Sequence, residues 1–326
     1  MTNRSTARNL IFLALLLCCS FLIIVSCSPQ KEPVYRKSKI LMDTLVTITV
    51  VSDSEGNAEK AIGNAFSEIE KLDNLLNFFS DKREISEINK NAGIRPVQVS
   101  PETIEVVEGA VYASDKTNGS FDISIGPVIS LWDFHNKIKP DDREIKKKLG
   151  LVNYRNIIID KNKSSIFLKK SGMMIDTGGI AKGFAADKAV AALKASGIRS
   201  GLVSIAGDIK AFGHKPDGKP WKIGIKNPRQ EGKDDDLMAT LDLTDMAIST
   251  SGDYERSFMI DCERYHHILN PKTGYPSPEC RSVSIIAKEG AVTDPFSTGI
   301  FVLGPEKGLK LLEDMGLDGI IVDKDG

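Results

Sequence analysis

Between residues 174 and 187 the chain reads Met174-Ile175-Asp176-Thr177-Gly178-Gly179-Ile180-Ala181-Lys182-Gly183-Phe184-Ala185-Ala186-Asp187. A short apolar strand runs into paired glycines and then into an amphipathic helix, which Gly197 ends near Ser196. Bare backbone N–H groups at a helix N-terminus favour anionic oxygen, and glycine lets a phosphate approach the backbone closely. Lys182 adds a mobile positive charge, and Asp176 can accept hydrogen bonds from a ligand. The order is neither a Walker A loop nor the G-x-G-x-x-G of a dinucleotide fold. A tight strand-to-helix turn with a surface lysine would look the same.

On either side of this stretch, strand and helix signals alternate. Residues 43–51 are rich in β-branched side chains and predict a strand. Ala58, Ala61, Ile62, Ala65, Phe66, Ile69, Leu72 and Leu76 recur at spacings of three and four, predicting a long helix. Ser100-Pro101 reads as an N-cap followed by proline at the first helical position, opening a helix that stops near Gly119. Residues 156–160 and 165–169 predict a hairpin, and further strands are expected at 202–206, 221–226, 237–243, 265–270 and 282–287. The 326 residues suit one large α+β domain or two fused lobes.

Composition narrows the function. With 41% apolar and 27% charged residues and a net charge of −1, the chain is an ordinary globular protein. It has neither a basic stripe interleaved with aromatics nor a zinc spacing, so no nucleic-acid partner is expected. The N-terminus differs. Arg4 and Arg8 precede an apolar run over 10–25, which fits a secretory leader better than a spanning helix. The run ends in Ile24-Val25-Ser26-Cys27, which resembles a bacterial lipobox. On this reading 1–26 is a lipoprotein signal peptide, 27–39 is the lipidated Cys27 with a polar tether, and 40–326 is the catalytic domain. An uncleaved anchor, or a plain signal peptide with an incidental cysteine, are the alternatives. Each buried lipid methylene contributes ~0.8 kcal/mol, so acylation holds a protein on a membrane without a spanning helix. The expected location is the extracytoplasmic (periplasmic) face of the cell membrane. Cys262 and Cys280 would remain after cleavage and could pair, which their spacing does not decide. The apolar run 320–322, just before the terminal Asp325-Gly326, reads as the first arm of a hairpin, so a truncated C-terminal strand is expected.

Four further clusters carry chemistry. In His266-His267-Ile268-Leu269-Asn270-Pro271-Lys272-Thr273-Gly274 the two histidines point to opposite faces of a strand, so one of them could face a cleft as a general base. In Thr293-Asp294-Pro295-Phe296-Ser297-Thr298-Gly299, Asp294 and Thr298 share one helix face. A carboxylate and a hydroxyl suit Mg²⁺, although taken alone the pattern is better explained by Asp294 as an N-cap before Pro295 with nothing bound. Gly119-Ser120-Phe121-Asp122-Ile123-Ser124-Ile125-Gly126-Pro127 places an aromatic ring and a carboxylate at a helix end. Ser249-Thr250-Ser251-Gly252-Asp253-Tyr254 is either a strand end or a capped turn.

Taken in order, these segments resemble the ApbE family of FAD:protein FMN transferases over nearly all of the chain after the leader. The resemblance includes Leu41-Met42-Asp43-Thr44, Ala206-Gly207-Asp208-Ile209 and Ser251-Gly252-Asp253-Tyr254-Glu255-Arg256. Ala206 departs from the glycine frequent there, which matters little if the backbone is extended. The resemblance implies an α+β fold of two intimately joined lobes, with mixed or antiparallel sheets, flanking helices and FAD between the lobes. It implies that Met42, Phe79, Ser120, Phe121, Asp122, Asp176, Lys182 and Ile268 lie near FAD. It implies that the Gly179 carbonyl, Asp294 and Thr298, with Ser297, hold Mg²⁺, and that His267 or Asp294 takes the proton of the attacking hydroxyl. Lys182 and the N–H groups near Gly178-Gly179 would hold the phosphates. The implied partner is an acceptor flavoprotein subunit of an exported or membrane redox complex, modified on Ser or Thr. A Mg²⁺-dependent FAD pyrophosphatase and a non-enzymatic FAD-binding lipoprotein are the competing readings.

Overall fold

Strands and helices alternate through a computed structural model that describes residues 32–77, 83–229 and 236–326. The leader, Cys27 and Phe79 lie outside these residues. The first half contains β1 (Val34–Leu41), β2 (Thr44–Val51), α1 (Glu55–Leu76), α2 (Glu84–Lys90), β3 (Val97–Gln98), α3 (Pro101–Lys116), α4 (Gly126–Ile129), α5 (Asp142–Leu149), β4 (Ile157–Asp160) and β5 (Ser165–Leu168). The second half begins with α6 (Ala181–Ala195), β6 (Ser200–Ile205), β7 (Asp208–Phe212), β8 (Trp221–Lys226), β9 (Leu237–Leu243) and β10 (Ala247–Gly252). It ends with β11 (Ser257–Ile260), β12 (Glu263–His266), β13 (Cys280–Ala287), α7 (Gly290–Leu303), α8 (Pro305–Met315) and β14 (Asp318–Asp323).

The frame is a seven-stranded sheet in the order β1-β2-β6-β7-β10-β13-β14, and every ladder in it is antiparallel. On β2 the alternate residues Val46, Ile48 and Val50 are fully buried. They face α1, whose Ala58, Ala61, Ile62, Ala65, Ile69, Leu72 and Leu76 form the apolar stripe expected from the spacing. Helices α3, α6 and α7 complete this core through Val107, Ala110, Phe184, Phe296 and Phe301. The β8–β9 hairpin covers a second core, where Trp221, Ile223 and Ile225 pack against Ala211 and Ile248. A third, aromatic cluster gathers Trp132, Phe258 and Tyr265. Ser54 and Ser100 cap α1 and α3 as side-chain acceptors, with Pro101 in the first turn of α3.

Several expectations are corrected here. Residues 34–39, read as tether, lie in β1, which pairs with β2 from Val34↔Val51 to Leu41↔Thr44. As a mostly exposed edge strand, β1 lacks the apolar alternation that reveals a strand. Its lysines instead reach α1, Lys37 to Glu59 and Lys39 to Glu70, and charge on an edge strand discourages edge-to-edge pairing. The strand expected at 265–270 stops at His266, because Asn270 accepts from Gly274 N–H and closes a turn. Of the two readings of 249–254, the strand end holds, because residues 249–251 lie within β10. The run 320–322 pairs with the preceding β13, antiparallel, at the sheet edge. Cys262 and Cys280 are both free, one exposed and the other buried.

Candidate active site

The site is built on the crossing of α6 and α7. A Cβ at Gly183 would lie 2.0 Å from the Gly290 carbonyl oxygen, and one at Gly290 would lie 2.4 Å from the Gly183 carbonyl oxygen. Two glycines therefore let the helix backbones touch. The contact puts Asp294 against the first turn of α6, where its Oδ2 accepts from Gly183 N–H at 3.0 Å. Asp187 returns the favour, accepting from Gly290 and Ala291 N–H, each at 2.9 Å. Each carboxylate takes up otherwise unpaired helix N–H groups and complements a positive dipole end.

Lys182 sits between two carboxylates. Its Nζ is 2.6 Å from Asp208 Oδ2 and 3.2 Å from Asp294 Oδ1. Burial alone would lower the Lys182 pKa, but Asp208 and Asp294 outweigh it and raise it, so the ammonium stays charged. Burial pushes the Asp208 carboxyl up to about 6, against the pull of Lys182 and with the push of Asp294. From its place in the sequence, Lys182 is expected to carry a mobile charge. Here the charge is clamped, because Asp208 arrives from the β6–β7 turn, remote in sequence. That turn also corrects the expectation of an extended Ala206. Ala206 has φ +50° and Gly207 φ +91°, joining the paired residues Ile205 and Asp208. Positive φ at both central positions is the geometry of a tight hairpin.

Hydroxyls line the next layer. On β10, Ser249 bonds Thr293 at 2.8 Å, while Ser251 bonds Ser297 at 2.8 Å and Thr298 at 3.1 Å. The strand's two-residue repeat thus meets the helix's four-residue repeat. Asp294 does not cap α7: the helix begins at Gly290, and Asp294 and Pro295 lie inside it. The expected N-cap fails because Asp187 supplies the cap from another helix. A Cβ on Gly179 would lie 2.9 Å from the Phe121 ring and 3.6 Å from Thr298 Oγ1. Gly179, Phe121, Asp294, Ser297, Thr298 and Lys182 are therefore neighbours.

His267 faces this group from the β11–β12 side. Its Nδ1 is buried and has no partner among the described residues. Burial, reinforced by Arg256, His266 and Lys182, drives the imidazole pKa down to about 3, so it is neutral near pH 7. His266, by contrast, contacts the Ser277 carbonyl through Nε2 and stacks edge-on against Phe301, a core role. Burial raises the Asp176 pKa, opposed by the Gly178 N–H and by Arg256. The Gly178 N–H, expected to be free for phosphate, donates to Asp176 Oδ1 at 2.8 Å.

The remaining predicted residues are placed less directly. Met42, at φ +53°, donates its N–H to Asp73 near the end of α1, and Thr177 donates to the Leu76 carbonyl there. Ser120 and Ile268 are buried. Asp122 accepts from Ser124 N–H and Oγ through Oδ1 and from Tyr154 N–H through Oδ2, so it ties its own loop to the segment that carries Tyr154. That loop borders a cavity of about 180 Å³, shared with Pro271 and Lys272. The residues missed as site members are Asp208, Ser251 and Arg256. All three lie in quoted segments, but only the tertiary contacts reveal what they touch.

This arrangement is that of a known group. The model of the ApbE family matches residues 42–321, and the chain belongs to that family. It is similar to the FAD:protein FMN transferase of Klebsiella pneumoniae (strain 342), with 32% identity over 89% of this chain and 90% of the relative. That of Treponema pallidum (strain Nichols) is 31% identical over 89% of this chain and 85% of the relative. Among solved structures, the ApbE protein of Thermotoga maritima superposes with a TM-score of 0.83 at 32% identity, covering 90% of this chain and 96% of the other. The apo Pseudomonas stutzeri flavinyl transferase ApbE gives 0.80 at 30% identity, covering 92% and 94%.

Proposed function

We propose that the protein is an FAD:protein FMN transferase that moves FMN from FAD to a Ser or Thr hydroxyl of an acceptor flavoprotein and releases AMP. The similarity to curated transferases over nine-tenths of the chain supports this. The observation that carries it is the convergence of Lys182, Asp208, Asp294, the Ser251–Ser297–Thr298 hydroxyls and an unpartnered His267 nitrogen.

The donor set also fits Mg²⁺. Among the described residues no group of three or more His, Cys, Asp or Glu side chains could hold a metal. Asp294, Thr298, Ser297 and the Gly179 carbonyl offer hard oxygens instead, which suits an ion that keeps waters and binds substrate phosphates. When bound, Mg²⁺ neutralises charge on the FAD diphosphate and the departing AMP.

In the reaction, the acceptor hydroxyl oxygen bonds to the FMN phosphorus, the P–O bond to AMP breaks, and the hydroxyl proton leaves. His267 is the acceptor the geometry favours, because its buried Nδ1 has no partner among the described residues, whereas the Asp294 carboxylate is already shared by Lys182 and the Gly183 N–H. Met42, Ser120, Phe121, Asp176 and Ile268 are assigned to the flavin and adenosine ends of FAD. Lys182 holds Asp208 and Asp294 against mutual repulsion.

The leader and Cys27 support a lipid anchor on the extracytoplasmic face of the cell membrane, where an exported or membrane redox subunit would be the acceptor. No helix of the described residues is long and apolar enough to cross a membrane. Cys27→Ser should move the protein from the membrane to the soluble fraction, and unchanged fractionation would remove the anchor.

The activity test incubates the protein with FAD, with and without Mg²⁺, and an acceptor carrying a Ser/Thr segment. An FMN-sized mass gain on the acceptor with AMP release is expected only with Mg²⁺. Free FMN and AMP with no gain on any acceptor would replace the transferase by a pyrophosphatase. Tight FAD binding with neither product would leave a flavin-binding lipoprotein.

A further inference from the structure

The charge balance of the site is unfavourable to its substrate. Lys182, in the first turn of α6 just after the glycine turn, is already spent on Asp208 at 2.6 Å and Asp294 at 3.2 Å. That trio carries a net negative charge when both carboxylates are ionised, and Asp176 stands nearby as a further acid. A diphosphate brings more negative charge into the same space. A further side-chain cation facing that space would offset part of it.

Arg256 meets that need. It immediately precedes β11, and its carbonyl accepts from His267 N–H at 3.1 Å, so the two residues face each other at the base of the β11–β12 hairpin. Its side chain is exposed. Among the described residues, its guanidinium has no hydrogen bond, ion pair or ring contact. The neighbouring Arg229 shows the contrast: it forms a two-pronged pair with Asp253 at 2.8 and 2.5 Å, which removes Asp253 as a partner for Arg256. The Arg256 charge reaches both Asp176 and His267, stabilising the carboxylate and opposing a proton on the imidazole. Backbone geometry therefore holds it against His267, with its donors unused.

We propose that Arg256 binds the transferred phosphoryl group of FAD, donating to its non-bridging oxygens and stabilising the charge that develops there during transfer. The proposal rests on the transferase reading for its kinetic part and on FAD binding alone for its affinity part. A planar guanidinium suits this task because its paired N–H groups match two phosphate oxygens. Donors placed on developing charge act mainly on kcat.

The test compares wild type, Arg256→Lys and Arg256→Ala in the Mg²⁺-dependent transfer assay. In parallel, FAD and riboflavin affinities are read from flavin fluorescence, since riboflavin has the ring without phosphates. Arg256→Ala is expected to lower kcat by roughly 10²-fold and to weaken FAD by roughly tenfold relative to riboflavin, with Tm unchanged because the side chain is exposed. Arg256→Lys should fall between, and added guanidinium should restore part of the Arg256→Ala turnover. Turnover and an FAD-to-riboflavin affinity ratio both within twofold of wild type would overturn the proposal. If wild type modified no acceptor, the transferase reading would fall, while the affinity ratio would still decide whether Arg256 engages the phosphates.

Discussion

Asp187 and Asp294 each cap the first turn of the helix that carries the other. Asp187 on α6 holds Gly290 and Ala291 of α7, and Asp294 on α7 holds Gly183 of α6. The pair makes the position of Asp294 depend on a residue with no direct contact to the reacting atoms. Asp187→Ala should therefore cost about 1–2 kcal/mol of stability, the range for lost helix caps, and should also reduce turnover. Asp187→Asn keeps an acceptor and should cost less. Thermal melts and the transfer assay together check this, and an Asp187→Ala protein with wild-type Tm and turnover would remove the coupling.

The glycine crossing gives a sharper contrast. Gly183→Ala must displace a backbone carbonyl that would lie 2.0 Å from the new Cβ. It should cost several-fold more than an ordinary helix substitution and disturb the Lys182–Asp294 pair. Gly63, inside α1, has nothing within 4 Å of its Cβ position, so Gly63→Ala should stabilise by about 0.5–1 kcal/mol through helix propensity. Denaturant midpoints moving in opposite directions would support the account. A stable, active Gly183→Ala protein would sink it.

Ala206 is a non-glycine residue in left-handed backbone at φ +50°, a conformation that costs an L-residue roughly 1 kcal/mol. Its turn delivers Asp208 to Lys182, so the strain lies next to the site. Ala206→Gly should relieve most of that cost, offset by glycine's greater freedom when unfolded, and raise Tm by a few degrees with activity retained. A fall in Tm would show that the methyl group contributes packing that outweighs the strain.

The parts of this molecule governed by local patterns are legible in the sequence. The α1 stripe, the Ser100-Pro101 start of α3 and the β8 and β9 strands all follow from side-chain periodicity and capping within one segment. The failures share one cause. The Asp294 helix was misplaced because its cap comes from Asp187, more than a hundred residues away. Lys182 was read as mobile because Asp208 belongs to a different hairpin. Strand β1 was read as tether because an exposed edge shows no apolar alternation. Motif resemblance named Gly179, Asp294, Ser297 and Thr298 together, and the contacts of Gly179 with Phe121 and Thr298 bring them into one place. Resemblance could not indicate that Asp122 spends one oxygen on Ser124 of its own loop and the other on the backbone of Tyr154.

The two cysteines among the described residues make a direct chemical test of the sheet. Cys280 opens β13, is buried, and has its thiol pushed up to about 12, chiefly by that burial and then by Glu279 and Asp323. Cys262 is exposed in the β11–β12 turn. A thiol reagent at pH 8 should modify one of these two groups quickly and the second only on unfolding, because the thiolate is the reactive form. Peptide mass mapping should place the early label on Cys262. A disulfide-linked peptide joining both residues would contradict the free thiols described here.

His267 supplies the pH prediction. Its folded pKa lies near 3, against an ordinary value of 6.5. Between those values the unfolded chain takes up a proton that the folded protein refuses. Stability contributed by this group is therefore fully present above pH 6.5 and is lost as pH falls toward 3, by up to about 1.4 kcal/mol per pH unit. His266 is lowered by burial and acts in the same direction, while Asp208, raised to about 6, acts oppositely, losing its contribution as pH rises through that value. The total curve mixes these terms, and the difference between wild type and His267→Gln isolates one. Urea unfolding at pH 7.5 and pH 5 should show a smaller loss of stability on acidification for His267→Gln than for wild type. Equal losses would mean that the imidazole is hydrated or partnered in the folded protein, and the neutral, unpartnered base assigned to this site would have to be given up.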